Sequence, residues 1–447
     1  MRRYRPPVPI TERRSRAAAD LVAVGLAALV VVAAALVGQG LLAAGVDIFL
    51  PFPPLLAGWL PHVGPGTPAA VAVAVLVVVQ GPVLAQRLRW GPLLAAGYAG
   101  ALAWTVSLAL VDGWQRGVVE RLSSSQEYLH DVPRVTDVGA MLRTFSDHIL
   151  TDAPGFWTTH VGAHPPGAFL TFVWLDRLGL GGGGPAGLFV MLVGASAPIA
   201  VAVAVAAFDA EDVARRALPF GVLLPGAVWV GVSADGMFAG VLAWGVALLA
   251  VGATRCGRRA DLTALAGGVL LGWCLYLSYG LVLGGLLALA VLALTRSLRA
   301  GLLATAGVLA VVAAFTVSGF WWFTGFDRVQ VIYAASIAST RPYGYFVWAN
   351  LAAVLLALGP AVVAGVRRAV ARSQALPVAV VVLAGAGLAA ILLADASGMS
   401  KAEVERIWLP FAVWLVLPCA LLPAARYWLA AQAVLALTVN HLLLTVW

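Results

Sequence analysis

Long apolar runs with short polar connections between them dominate the chain. Most runs are about 17 to 25 residues long, the length at which an α-helix crosses the hydrocarbon core of a bilayer with its backbone hydrogen bonds satisfied. The pattern predicts thirteen spans, with almost no connection between the seventh and the eighth, at Tyr279. The predicted spans are 20–44, 69–85, 91–111, 185–207, 217–233, 236–253, 262–279, 280–295, 301–318, 345–366, 377–394, 407–423 and 427–445.

Three polar segments interrupt the apolar pattern. The longest runs from Asp112 to Gly184 and is called the early loop (112–184); the middle loop covers 319–345 and the late loop 395–406. Thirteen crossings place all three loops on one side of the membrane. Short connections elsewhere are typical of helices packed antiparallel. The sequence therefore predicts an all-α fold, a polytopic transmembrane helix bundle that forms a single membrane domain over 1–447.

Two segments of the early loop are predicted to be interfacial helices. In the first, apolar residues recur at steps of three and four; they are Val138, Met141, Leu142, Phe145 and Ile149. The second begins at Pro165, which suits the first turn of a helix, and ends at Asp176-Arg177. A membrane crossing by 165–180 would invert every later span and place the clustered arginines outside. This short helix is therefore predicted to lie at the interface.

Composition places the chain among membrane proteins. Hydrophobic residues make up 62%, charged residues 11%, and the mean hydropathy is +0.95, whereas soluble domains have about 45–50% apolar and about 25% charged residues. Arginines before the first span place the N-terminus in the cytoplasm by the positive-inside rule; they are Arg2, Arg3, Arg5, Arg13, Arg14 and Arg16.

The same threading leaves most basic residues inside and most acidic residues outside, with the three loops extracytoplasmic. The predicted location is the plasma membrane, and the high pI of about 9.9 needs no nucleic-acid partner. The first apolar run is too long for a signal-peptide core, which favours an uncleaved anchor. Cys256, Cys274 and Cys419 are isolated and indicate neither a disulfide framework nor a metal site.

Carboxylates in the early loop are the first candidates for chemistry. Glu127 and Asp131 are four residues apart, so they share a face if this stretch is helical. A carboxylate there can take the proton of an attacking hydroxyl when its pKa and geometry suit the reaction. The competing interpretation is a solvated acidic loop.

Two histidines near the end of the early loop are the second group. His160 and His164 are separated by three residues, and His164 precedes two prolines that restrict the backbone around it. Their candidate roles are to coordinate a metal with a loop carboxylate, to bind a phosphate, or to cap the following helix. The spacing matches no strong zinc signature, so a divalent cation is left open.

Charged residues in the late loop suggest phosphate binding. Lys401, Glu405 and Arg406 stand just before the twelfth predicted span, where charge is costly unless solvated or paired. An arginine offers a planar fork of donors that suits phosphate oxygens. The competing interpretation is interfacial snorkelling with a local salt bridge.

Three further residues face the same predicted side. Arg341 and Tyr343 in the middle loop are candidates for binding a phosphate and for stacking on a sugar ring, although aromatic residues at this depth are commonly anchors. Asp235 is predicted in a tight turn between the fifth and sixth spans and is either a turn residue or part of the site. No P-loop, dinucleotide fingerprint or serine nucleophile elbow occurs.

These motifs together resemble the GT-C superfamily of polytopic membrane glycosyltransferases. The resemblance rests on Glu127-Tyr128-Leu129-His130-Asp131, on His164-Pro165-Pro166-Gly167, and on Glu405-Arg406-Ile407-Trp408-Leu409-Pro410. It covers about 110–425 in architecture, and its motifs are short. The usage of alanine, valine and arginine is similar to that of high-GC actinobacterial members.

The resemblance implies transfer of a sugar, with inversion, from a polyprenyl-phosphate donor to a glycan, lipid or protein acceptor on the extracytoplasmic face. It also implies an early-loop carboxylate as general base, Asp131 or Glu127, and donor-phosphate binding by Lys401 and Arg406. Two spans precede the one that leads into the early loop, so Asp47 in the first outward loop is an alternative base.

Two other classes of protein remain open at this point. A transporter or flippase of a lipid-linked cell-envelope precursor would use the same outward basic groups to bind a pyrophosphate. Against it, the span centres carry few charges and no pair of broken helices is evident in matching halves. A non-catalytic scaffold for envelope assembly is the third interpretation. The sugar and the acceptor are not specified by the sequence.

Overall fold

The computed structural model describes residues 10–371, 374 and 376–446, with side chains described from residue 17 onward. Within this part, nine helices are long and apolar enough to cross a membrane, and each overlaps one predicted span. The chain is therefore an all-α, multi-pass membrane protein. The nine are Ala17–Ala43, Thr67–Arg87, Trp90–Asp112, Gly183–Ala206, Ala234–Thr254, Arg258–Leu277, Leu298–Val317, Tyr343–Ala371 and Val378–Ala396. The arginines that set the predicted N-terminal orientation, and Arg372, lie outside the described side chains.

The other four predicted spans are shorter, interrupted or less apolar. The count of thirteen therefore stays a prediction. Three of these segments are interrupted or contain a stretch of 3₁₀ helix, which packs less regularly than an α-helix. The helices of the four segments are Glu211–Val222 with Ala227–Val230, Tyr279–Gly284 with Gly285–Thr295, Leu409–Ala412 with Val413–Leu421, and Ala425–Leu442.

Two interrupted helices meet inside the bundle, a feature that the sequence pattern did not indicate. The helix Tyr343–Ala371 kinks at Gly359, whose φ of 77° is easy only for glycine, just before Pro360. The N–H of Gly226, in the break before Ala227–Val230, donates to the carbonyl of Ala357 at 2.8 Å.

The kink is stabilised by Gln432, a fully buried glutamine on the helix Ala425–Leu442. Its amide donates to the carbonyl of Leu358 at 2.8 Å, and its oxygen accepts from the N–H of Ala361 at 3.2 Å. Backbone groups released by the kink are thus satisfied by a side chain, as burial requires. No charged group takes part in these bonds.

The three loops come together at one end of the bundle. Arg328 of the middle loop pairs with Asp147 of the early loop at 3.0 Å. Tyr333 of the middle loop donates to the carbonyl of Gly398 in the late loop at 2.7 Å. A two-stranded antiparallel sheet, Ala57–Trp59 with Leu443–Thr445, lies at the same end, because Arg121 of the early loop donates to the Thr445 carbonyl at 2.5 Å.

The two helices predicted in the early loop are confirmed as helices. The first is Val138–Thr144 and continues as a 3₁₀ turn, Phe145–His148. Its apolar face packs on protein, since Phe145 is fully buried and its ring lies 5.7 Å from that of Phe320. The second is Pro166–Arg177, and most of its residues are buried.

Two of the long helices consist of two pieces each. Gly183–Ala206 consists of Gly183–Gly194 and Ala197–Ala206, and Trp90–Asp112 consists of Trp90–Ala109 and the 3₁₀ turn Leu110–Asp112. The remaining elements are short and belong mainly to the three loops. The others are Gln115–Val119 (π), Tyr128–Asp131, Val132–Arg134 (3₁₀), Thr159–Gly162, Trp322–Ala335, Ile337–Thr340 and Val404–Ile407.

We expect Gln432→Leu to destabilise the bundle. The change leaves the Ala361 N–H and the Leu358 carbonyl buried without their partner, which costs about 1–3 kcal/mol. The thermal unfolding midpoint of the detergent-purified protein should fall. Gln80→Leu makes the same chemical change at an exposed position on the helix Thr67–Arg87 and should leave the midpoint unchanged. Equal midpoints for both variants would contradict the assigned role of Gln432.

Candidate active site

A buried arginine forms the centre of a charged cluster at the end of the bundle where the loops meet. Arg406 lies in the single turn Val404–Ile407 and is 6% exposed. Its guanidinium pairs with Asp235 and, at 2.7 Å, with Glu403. Asp235 is fixed in the first turn of the helix Ala234–Thr254, which Ser233 caps. The cluster therefore ties the late loop to a helix of the bundle.

A second arginine extends the cluster toward the middle loop. Arg341 lies 3.9 Å from Glu403, so that carboxylate stands between two guanidinium groups. Arg341 also donates to the carbonyl of Lys401 at 2.6 Å and to those of Ile48 and Phe49 at 3.3 Å each. Arg341, Glu403, Arg406 and Asp235 form a chain of alternating charges, here called the charge chain.

The early loop contributes an acid and histidine pair beside the charge chain. Glu127 is 3% exposed, and its carboxylate contacts Nδ1 of His160 at 2.6 Å. Burial opposes the charge of Arg406, but Asp235, Glu403 and Glu127 outweigh it and hold the arginine pKa above its ordinary value. Glu127 therefore belongs to the electrostatic environment of Arg406.

His164 supports this pair and is neutral. Its Nδ1 donates to the carbonyl of His160 at 2.8 Å. Burial lowers the pKa of His164 to about 4, an effect that Asp235 partly offsets. The Tyr128 ring lies 6.3 Å from His160 and 5.9 Å from His164. At neutral pH His164 is thus uncharged, and its hydrogen bond supports the His160 backbone.

Asp131 is occupied by structural contacts. One carboxylate oxygen accepts from Arg134 at 2.7 Å, and the other accepts from the N–H of Thr158 at 2.8 Å. Arg134 also donates to the carbonyls of Gly155 and Phe156. Asp131 and Arg134 therefore hold the turn that leads into Thr159–Gly162, the short helix that carries His160.

The other predicted residues lie around the charge chain. Asp47 is exposed, accepts from the N–H of Phe49 at 2.8 Å, and acts on Arg341 through its charge. Lys401 donates to the carbonyls of Ala338 at 3.1 Å and Ser339 at 3.4 Å, and both of these partners are neutral. Tyr343 is 44% exposed and donates to a carbonyl in the late loop.

Glu405 differs from every other acid of the cluster. It is 1% exposed, and neither carboxylate oxygen has a hydrogen-bond partner in the described part of the chain. Burial raises its pKa to about 8, with Glu403 adding to the effect and Arg406 and Arg341 opposing it. A buried, unsatisfied carboxyl group is rare and calls for a functional or mechanical explanation.

Glu403 is one of the charged residues just before the twelfth predicted span, but the sequence assigns it no role in the site. Its spacing of three from Arg406 is compatible with a pair on one helical turn. However, it adopts a left-handed conformation with φ of 61°, just outside that turn. The local sequence therefore indicates that Glu403 can pair with Arg406, but not that its carboxylate lies between Arg406 and Arg341.

The space at the cluster is small in this structure. A cavity of about 30 Å³ lies beside Asp235, between Ser278, Ser400 and Trp408. This volume holds about one water molecule. Within the described residues, no group of three or more histidine, cysteine or acidic side chains is arranged to hold a metal ion. A divalent cation therefore stays a prediction from the sequence.

Comparison with models of known protein families finds no match, and no curated protein is similar to the chain at a significant level.

We expect Arg406 and Asp235 to be strongly coupled in stability. Arg406→Gln leaves the buried Asp235 carboxylate without its cation and the partly buried Glu403 carboxylate with Arg341 alone, which costs about 3–5 kcal/mol. Combining it with Asp235→Asn removes one of those charges, so the double variant should lose at least 1 kcal/mol less than the sum of the single losses. Unfolding free energies in detergent micelles measure this double-mutant cycle.

The exposed pair Arg328 and Asp147 provides the control cycle. Their side chains are 31% and 63% exposed, and surface pairs contribute about 0–1 kcal/mol. The coupling energy of this exposed pair should be smaller than that of Arg406 and Asp235. Coupling near zero for Arg406 and Asp235 would show that their contact does not hold the late loop to the bundle.

We expect Glu405 to make stability depend on pH. Its pKa is about 8 in the folded protein and about 4.3 in an unfolded chain. The stabilising contribution of its neutral form is complete below about pH 4 and is lost as the pH rises through 8. Glu405→Gln removes this dependence, so its melting temperature relative to the unaltered protein should rise between pH 5 and pH 8.

Glu120→Gln is the control, because Glu120 is an exposed acid of the early loop. Its melting temperature should follow that of the unaltered protein at every pH. A constant difference between Glu405→Gln and the unaltered protein from pH 5 to pH 8 would rule out a neutral Glu405.

Proposed function

We propose that the protein is a membrane glycosyltransferase that moves a sugar from a polyprenyl-phosphate donor to an acceptor on the extracytoplasmic face. The observation that supports this most is the Glu127–His160 pair beside the charge chain, at the end of the bundle where all three loops meet. The arrangement offers a base and cations at one end of a bundle of membrane-spanning helices. The resemblance to the GT-C superfamily points to the same chemistry.

Glu127 is the proposed general base. It takes the proton of the acceptor hydroxyl as that oxygen attacks the anomeric carbon of the donor sugar. The new carbon–oxygen bond forms as the bond to the phosphate oxygen breaks, and both bonding electrons leave with the polyprenyl phosphate. His160 orients the Glu127 carboxylate through the 2.6 Å contact.

The surroundings of the three candidate acids favour Glu127. Both oxygens of Asp131 already accept hydrogen bonds from the turn that they hold. Asp47 is exposed, and its contact is with its own turn. Glu127 alone among them is buried beside the charge chain with a histidine as partner, the setting in which a carboxylate is positioned for proton transfer.

Lys401 is the proposed binder of the donor phosphate. Arg406 and Arg341 already face carboxylates, whereas Lys401 donates to two neutral carbonyls. A phosphate oxygen would therefore gain a charge-assisted hydrogen bond from Lys401 without displacing an acid. Arg341 lies next to Lys401 through its bond to the Lys401 carbonyl and adds positive potential there.

A donor sugar requires the loops to open. The cavity of about 30 Å³ beside Asp235 is far smaller than the roughly 300–1,000 Å³ of ligand sites. The helices Trp322–Ala335 and Ile337–Thr340 of the middle loop have one buried residue between them, Gly325. Elements with so little burial open at low cost, so we assign them the movement that admits the donor.

We expect Glu127→Gln to slow sugar transfer by about 10²–10⁴-fold, the usual contribution of a general base. Release of polyprenyl phosphate from a panel of synthetic polyprenyl-phosphate hexoses and pentoses, in nanodiscs, measures it. Polyprenyl-phosphate binding should persist in this variant and weaken in Lys401→Ala. Asp47→Asn should retain transfer, and Asp131→Asn should lose stability.

Full transfer by Glu127→Gln would exclude Glu127 as the base. If the unaltered protein releases no polyprenyl phosphate from any donor, but moves labelled donor between leaflets of proteoliposomes, the protein is a flippase instead. If the unaltered protein neither releases polyprenyl phosphate nor moves the donor between leaflets, an assembly scaffold is favoured.

A further inference from the structure

A large cavity in the described part of the chain lies away from the candidate active site. Its volume is about 720 Å³, within the range of ligand sites. It is formed by the end of the helix Thr67–Arg87, the middle and second half of Glu211–Val222, the end of Val413–Leu421 and the start of Ala425–Leu442. The segment Leu409–Leu421 begins beside Arg406 and runs away from it, so the cavity opens at the opposite end of the bundle.

Four arginines line this cavity, and no acidic residue does. They are Arg87, Arg215, Arg216 and Arg426. Within the described residues, Arg87 and Arg426 are exposed and form no ion pair with a carboxylate. The nearest acids on the cavity helices are Glu211 and Asp212, at the start of Glu211–Val222. The cavity therefore carries an excess of positive charge.

Arg215 gives the cavity a rigid wall. Its guanidinium pairs with Glu211 at 2.7 Å and donates to the carbonyls of Ala85 and Leu88 at 2.9 and 2.8 Å. It also lies 5.5 Å from the centre of the Trp90 ring. These bonds link two helices of the bundle, so the positions of Arg87 and Arg216 beside it are held by the fold.

Apart from Gln86, Cys419 and Tyr427, the rest of the lining is apolar. Val83, Phe220, Leu422 and Leu429 lie between the arginines and the interior of the bundle. A free inorganic anion would use the arginines and leave this surface uncovered. A molecule with a phosphate group joined to an apolar body covers both, and helix ends place the cavity where lipid headgroups lie.

We infer that this cavity binds the phosphate headgroup of an anionic membrane lipid. Arg87, Arg216 and Arg426 contact the phosphate oxygens, and the apolar lining contacts the glycerol and the first acyl carbons. The lipid contacts all four helices that line the cavity. The site is separate from the sugar-transfer site and does not depend on the proposed function.

The test uses the full chain purified in detergent and native mass spectrometry with added phosphatidylglycerol. The double variant Arg87→Ala, Arg426→Ala should weaken lipid binding by roughly tenfold or more, since each arginine contributes about 1 kcal/mol to binding an anionic headgroup. The matched control, Arg258→Ala with Arg259→Ala, removes the same charge from exposed positions at the start of another helix and should change binding less than about twofold. Phosphatidylcholine should bind weakly to all forms.

Three results would overturn the inference. Equal weakening by both double variants would indicate general attraction between basic helix ends and anionic lipid. Equal binding of phosphatidylcholine would exclude recognition of net negative charge. Thermal protection by inorganic phosphate as large as that by phosphatidylglycerol would indicate a free-anion site. If the alanine variant is poorly folded without lipid, Arg87→Gln with Arg426→Gln replaces it under the same comparison.

Discussion

The buried charge of Arg406 is the constraint on which the arrangement of the loops depends. Removing a guanidinium from water costs several kcal/mol unless anions and hydrogen bonds compensate it. Asp235 supplies one anion from a helix of the bundle, Glu403 a second from the late loop, and Glu127 adds negative potential from the early loop. Because these groups come from distant parts of the sequence, compensation requires the loops to close over the bundle end together.

What could be predicted from the sequence follows from how local each signal is. Long apolar helices depend on their own residues, so nine predicted spans correspond to helices of spanning length. The break near Gly359 is stabilised by Gln432 and the break near Gly226 by the Ala357 carbonyl; both partners are distant in sequence, and no local pattern identifies them. The two early-loop helices were predictable because their periodicity and the proline start are local signals.

The candidate site shows the same limit at the level of single residues. Glu127 and Asp131 share one short motif, and nothing in that motif separates their roles. The separation comes from Arg134 and the Thr158 N–H, which occupy Asp131, and from His160, which contacts Glu127. Spacing places acids near one another, whereas the environment of each acid determines its chemistry.

The arginines at the two ends of the bundle have different surroundings, and this difference determines how each end could bind phosphate. At the candidate active site, Arg406 and Arg341 face carboxylates, so a phosphate must compete with Glu403 or Asp235 for them. At the opposite end, the cavity lining contains arginines and no acid, so a phosphate there can bind Arg87 and Arg426 without displacing a carboxylate. For the proposed sugar transfer, this competition would favour turnover, because the phosphate that leaves the sugar must also be released. A preformed basic cavity suits a ligand that stays bound as part of the structure.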